Sequence, residues 1–130
     1  MYQKTTRDIK ITVTPAYLAA QSDPQEHHYV WAYTVQIENH GIEAVRLVNR
    51  YWRITDATGA VQEVRGAGVV GEQPVLQPRD VFQYTSGAAL RTSSGIMSGA
   101  YEMVLANHES FLVEIPTFSL DSPDQLKRPN

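Results

Sequence analysis

Three glycines, Gly66, Gly68 and Gly71, stand at the spacing G-x-G-x-x-G in the string "RGAGVVGEQP", and Arg50, Arg53 and Arg65 lie near them in the chain. Converging backbone amides can cradle a phosphate, and guanidinium forks bind its oxygens in pairs. The chemistry on offer is recognition of a phosphate or pyrophosphate group. When this spacing binds a dinucleotide, a strand feeds the glycines and a helix follows, its N-terminal amides facing the pyrophosphate. Here Glu72-Gln73-Pro74-Val75-Leu76-Gln77-Pro78 follows, and Pro78 would break any helix begun at Gly71. Asp80 comes too early for the ribose-binding acid expected about twenty residues further on. Two readings remain: a loop crossing the end of a sheet with Val69 and Val70 as its buried plug, or a phosphate nest built without a helix. Arg50 and Arg53 flank the pair Tyr51-Trp52, yet on a strand they point to opposite faces unless a bulge intervenes.

Other reactive groupings are weaker. Glu26, His27 and His28 bring a carboxylate and two imidazoles together, a donor set suited to cobalt, nickel or zinc, but adjacent histidines rarely reach one ion. Ser94 and Ser98 in "TSSGIMSG" lack the G-x-S-x-G frame of a nucleophile elbow. The chain has no cysteine, which removes thiolate zinc sites, disulfides and cysteine nucleophiles. No catalytic residue and no cofactor is nominated.

These residues must be positioned by strands. Ile9, Ile11 and Val13 alternate with polar residues, and Pro15 ends that strand's pairing or sets it at an edge. Leu18 to His27 reads as a surface loop. "HYVWAYTVQIEN" puts Tyr29, Trp31, Tyr33, Val35 and Ile37 on one face, and Asn39-His40-Gly41 predicts a hairpin into "AVRLVNRYWRITD". Within that second run the apolar phase moves from Val45 and Leu47 to Val48, Trp52 and Ile54, as a bulge or a crossing between sheets would produce. Asp56-Ala57-Thr58-Gly59 turns the chain into Val61 to Arg65, and strands resume at "DVFQYTS", "SGAYEMVLA" and "FLVEIPTFSL". The pattern is all-β, an antiparallel sandwich of seven to eight strands. Most aromatic residues should fill its core, leaving one or two for a groove.

The 130 residues, about two-fifths of them apolar, suit a single domain, with an ordered core at about 8–120 and a polar tail at 121–130. Eleven Lys and Arg against fourteen Asp and Glu give a net charge of −3. The basic residues are dispersed, which argues against nucleic acid as a partner. The start lacks the apolar stretch of a secretory signal, and no run of about 18 apolar residues could span a bilayer. A cytoplasmic location without membrane contact is expected.

The series "RYWRITDATG", "VRGAGVVGEQPVLQP", "FQYTSGAAL" and "GIMSGAYEMV" resembles the ApaG family, also called CorD, from Ile9 to Leu120. That resemblance implies a cytoplasmic bacterial protein with an immunoglobulin-like or fibronectin type III-like sandwich. It also implies a genetic association with cobalt resistance and magnesium efflux, and encoding beside a diadenosine tetraphosphatase. Related domains in eukaryotic F-box proteins are thought to mediate protein contacts, and suspected pyrophosphate binding falls by position on Gly66, Gly68 and Gly71. Two departures stand out: Arg79 follows Pro78 where many relatives have glycine, so a less tight turn is expected, and Ala88 occupies a position where relatives often carry cysteine. The expected function is a non-catalytic module binding another protein, the alternative a sensor of phosphate-containing ligands. Edge strands of a small sandwich also make a homodimer an expectation.

Overall fold

The structure, a computed structural model, describes residues 1–123. Its strands are β1 (Tyr2–Thr6), β2 (Ile9–Tyr17), β3 (Tyr29–Asn39), β4 (Val45–Asp56), β5 (Val61–Ala67), β6 (Val75–Leu76), β7 (Val81–Leu90), β8 (Ser94–Leu105) and β9 (Ser110–Asp121). One sheet runs β1-β2-β3-β7 and the other β5-β4-β8-β9, with β6 beside β4. Every pairing is antiparallel, and the two sheets form the expected sandwich. Among the described residues no helix is long and apolar enough to cross a membrane. Of the polar tail expected at 121–130, Asp121 is still part of β9, and 124–130 lie outside the described residues.

Period-two alternation builds the core. In β3 every second residue from Tyr29 to Asn39 is buried, so one face of the strand meets the opposing sheet. Trp31, Tyr101 and Phe118 are the largest side chains fully removed from water, joined by Ile9, Ile11, Ile37 and Leu47. The strand β1 escapes the alternation rule because "YQKTT" offers no apolar repeat. It is held by its ladder to β2 and by the Tyr2 hydroxyl, 2.9 Å from Ser119 Oγ on the other sheet. Pro15 lies past the end of that ladder, since Tyr2 already pairs with Val13, so its missing N–H leaves no partner stranded.

The hairpin expected at Asn39-His40-Gly41 does not form: β3 and β4 belong to different sheets. Both edges of β3 are occupied by β2 and β7. The buried side chain of Asn39 fixes the crossover instead, donating from Nδ2 to Glu43 O (2.8 Å) and Leu76 O (3.0 Å) while its Oδ1 accepts the Gly41 N–H (2.9 Å). The phase change in β4 is a bulge, a register shift against β8 between Leu47 and Asn49. Beyond Asp56 the turn closes as read, with Asp56 Oδ1 accepting the N–H groups of Thr58 (2.9 Å) and Ala60 (3.1 Å).

The turn before β7 is tight despite its arginine. Asp80 N–H reaches Gln77 O at 2.9 Å, Asp80 Oδ2 accepts the Gln77 N–H at 2.8 Å, and Arg79 sits at φ 76°. Left-handed backbone costs a non-glycine residue about 1 kcal/mol, only part of which glycine returns through its freer unfolded chain. Arg79→Gly should therefore raise stability by about 0.5 kcal/mol, measured by urea denaturation. An unchanged or lower midpoint would mean that the arginine side chain offsets the strain.

Candidate functional site

The bulge in β4 decides which arginine meets the interior. Val45 and Leu47 point inward, and if the alternation continued unshifted Arg53 would share their face. The extra residue moves the phase, so Trp52 is buried, Arg50 shares its face and Arg53 is exposed on the other side. Arg65, opposite Tyr51 in the ladder, covers that ring on the outer face with Cζ 4.7 Å from the centroid, and its Nη1 lies 3.3 Å from Glu63. Arg53 and Arg65 therefore do not join Arg50.

Arg50 stands across the ladder from Gly66, and its guanidinium lies where a side chain at that position would be: a Cβ on Gly66 would come within 2.8 Å of it. Its Nη1 donates to Ala67 O (2.9 Å) and Gly68 O (3.0 Å), stapling the glycine loop to β4. Among the described residues Nε and Nη2 find no acceptor, and no carboxylate lies within ion-pair distance.

The glycine loop is a hairpin tip rather than a helix entry. Val69 N–H donates to Glu72 O (2.8 Å) and Glu72 N–H to Val69 O (2.9 Å), while Val70 (φ 44°) and Gly71 (φ 80°) occupy the centre. Positive φ at both central residues is the twist that a two-residue hairpin requires. Gly68, at φ 62°, donates to Val48 O, and a Cβ there would lie 2.1 Å from Glu72 O. Val69 is buried as expected, but Val70 is 56% exposed, so only half of the expected plug enters the core. A β-branched residue held left-handed is strained, and such strain gathers at sites of function.

Between this tip and β7 the sandwich opens into a cleft of about 550 Å³, lined by Arg50, Tyr33, Trp52, Tyr84 and Ser86 with the small residues Gly87 to Ala89. Among the described residues no Asp or Glu lines it, so none of them neutralises the cation at its side, which stands among aromatic, small and uncharged polar residues. Burial pushes the hydroxyls of Tyr33, Tyr84 and Tyr101 above their ordinary value of 10.0, while the Arg50 charge pulls all three the other way. Such a cleft can take a carboxylate or phosphate attached to an apolar or planar group. Sequence reasoning did not nominate Tyr33, Tyr84 or Ser86. The string "FQYTSGAAL" contained two of them, but only the pairing Tyr33 with Ser86 across β3 and β7 brings all three together.

Glu26, His27 and His28 are exposed beside a short 3-10 turn, His27 being left-handed at φ 54°. Among the described residues no three His, Asp or Glu side chains gather as a metal site. Ser94 begins β8, and Ser98 faces Arg53 across the ladder.

Residues 19–105 match a family model described as the ApaG domain. A curated ApaG protein of Rhodospirillum centenum is 60% identical over 130 residues, covering 100% of both chains. One of Parvibaculum lavamentivorans is 62% identical over 123 residues, covering 95% of each. A crystal structure from Bordetella pertussis superposes with a TM-score of 0.87 at 48% identity, covering 89% of this chain and 94% of that one.

Two outcomes follow from this geometry. Gly68→Ala should cost about 2 kcal/mol, since left-handed backbone and the collision with Glu72 O add together; a smaller loss in urea would mean the tip relaxes. Raised tyrosine pKa values favour the neutral phenols of the folded state, so their contribution to stability is complete below pH 10.0 and is lost as pH climbs beyond it. Of the seven tyrosines, Tyr84 and Tyr101 should develop phenolate absorbance only as the protein unfolds, and melting temperature should fall above about pH 10.

Proposed function

The chain belongs to the ApaG domain family, and from that premise we propose that it works as a non-catalytic binding module whose ligand is a partner protein. The observation supporting this most is Arg50, a half-buried guanidinium without a carboxylate partner among the described residues, beside an open cleft of about 550 Å³. A partly desolvated cation next to aromatic surface gains when a partner brings the missing anion. The surroundings suit binding better than reaction: Ser86 lies beside the Tyr33 phenol, whose burial keeps it neutral. In this reading the family's association with cobalt resistance and magnesium efflux acts through the partner, at the cytoplasmic location the resemblance implies.

A phosphate or pyrophosphate ligand is the second reading. It draws on the same guanidinium and on the N–H groups of Val70 and Gly71, which donate to no acceptor among the described residues. Three neighbouring amides, those of Gly68, Val69 and Glu72, are already bonded to backbone carbonyls, which weakens the nest. Loss of binding in Gly68→Ala would be ambiguous, because that variant disrupts the tip itself. Arg50→Met keeps the side chain's apolar length and removes its charge.

Affinity capture from a bacterial lysate, run in parallel on wild type and Arg50→Met, tests the protein reading. One protein should be retained by wild type and at least about fivefold less by the variant, a difference of about 1 kcal/mol. Equal retention, or none by either, would overturn it. Amide NMR titration with pyrophosphate, ATP and diadenosine tetraphosphate tests the second reading, which requires saturable shifts at Gly66 to Gly71 that vanish in Arg50→Met.

A further inference from the structure

The two sides of the sandwich are finished differently. Where β1 meets β9, Tyr2 bonds Ser119, Lys4 pairs with Glu114, and Thr6 Oγ1 accepts the Glu114 N–H at 3.3 Å. Just beyond β1, Arg7 reaches Glu109 at 2.9 Å and lies over the Phe111 ring. On the opposite side β7 ends its sheet among the described residues, and the cleft opens between it and β5.

The β3–β7 ladder fixes which backbone groups of β7 face away from the sheet. Val30 O accepts from Leu18 N–H, so Val30 turns its polar backbone toward the β2 side, and its β7 partner Ala89 bonds nothing on β3. At the far end Asn39 N–H donates to Asp80 O, which sets the same alternation. Antiparallel pairs alternate strictly, so Val81, Gln83, Thr85, Gly87 and Ala89 present their N–H and C=O groups to the open edge.

Exposed edges invite pairing, and proteins usually protect them with charge or proline. The other three sheet ends carry such residues: Lys4 on β1, Glu63 and Arg65 on β5, Glu114 and Pro116 on β9. The ten residues of β7, "VFQYTSGAAL", include no charge and no proline. Gly87, Ala88 and Ala89 are also small enough to admit a second backbone closely, and they line the cleft that Arg50 lines.

We propose that the free edge of β7 accepts an extended segment of another protein as an added strand, with an Asp or Glu of that segment reaching Arg50 in the adjoining cleft. This rests on the binding-module reading and names its site and its partner's form. An added strand has alternate side chains facing the inner side of the sheet, where Ser86 and Ala88 of β7 border the cleft. Main-chain bonds to the five outward residues supply general affinity, and the acid supplies selectivity. From Val81 to Ala89 the edge is about 27 Å long, room for about eight extended residues. A second copy docked through β7 fits less well, because β7 contains no acid and would leave both Arg50 charges unneutralised.

The test starts with a phage-displayed library of random nine-residue peptides, selected on the full chain and counter-selected on Gly87→Pro. Proline there removes an outward N–H that β3 does not use, so the ladder survives while an incoming strand is blocked. Selected peptides should carry Asp or Glu at one fixed position and shift the amides of 81–90. They should lose at least tenfold in affinity on Gly87→Pro and at least fivefold on Arg50→Met. Replacing the peptide's acid by its amide should cost little further in the Arg50→Met background. Enrichment no greater than on Gly87→Pro, shifts centred on Tyr51 and Arg65, or a wild-type dimer by light scattering that Gly87→Pro dissolves would each overturn the proposal. Should Gly87→Pro melt early, Ala89→Pro removes the neighbouring outward N–H for the same comparison. A lysate partner retained equally by wild type and Gly87→Pro but lost on Arg50→Met would keep the binding-module reading and overturn the edge.

Discussion

Trp52 is the point on which the arrangement turns. Its ring meets Tyr33 of the opposing sheet at 5.2 Å and Tyr101 and Phe118 of its own at 6.4 and 6.1 Å, all edge-on or nearly so. Edge-to-face contacts of this kind add about 1 kcal/mol each beyond the area buried. A strand anchored by so bulky a residue cannot slip by one position without driving it into solvent. Because Trp52 must point inward, Arg50 must do so too, and the bulge after Leu47 is what lets the same strand also bury Val45 and Leu47. The core dictates the cleft's charge.

That dependence separates the features legible in the amino-acid order from those that are not. Alternation is a local property, and it locates β2, β3, β7, β8 and β9 and, through the change of phase at Val48, the bulge itself. Pairing is not local. Asn39-His40-Gly41 has the composition of a hairpin, and the crossover it makes instead depends on both edges of β3 being filled by strands distant in the chain. The strand β1 carries no periodic signal and exists because β2 offers it an edge.

The site is legible in letters and not in geometry. Gly66, Gly68 and Gly71 are conspicuous by spacing, and the prolines that follow argue against a helix. What the glycines do separately depends on the folded backbone: Gly66 makes room for a guanidinium, Gly68 clears Glu72 O, and Gly71 shares a positive-φ turn with Val70. Arg50, Arg53 and Arg65 are equivalent as residue types. Only the strand phase separates the one that enters the cleft from the two on the outer face, and only the β3–β7 register brings Tyr33 and Ser86 beside it.

Stability alone does not account for Arg50. A half-buried guanidinium loses part of its hydration, and two carbonyl bonds through one nitrogen offset that loss incompletely. An uncharged side chain of similar length could pack against Gly66 without that cost, and a carboxylate among the lining residues could neutralise it. Neither is present. The neighbouring tip adds strain of its own, with Val70 left-handed and largely in water. A charge with no carboxylate partner among the described residues and strain without a packing gain sit together on the side of the sandwich where β7 carries no charge and no proline. The proposed added strand with its acid would answer all three features at once, supplying an anion to Arg50 and a neighbour to the bare edge of β7.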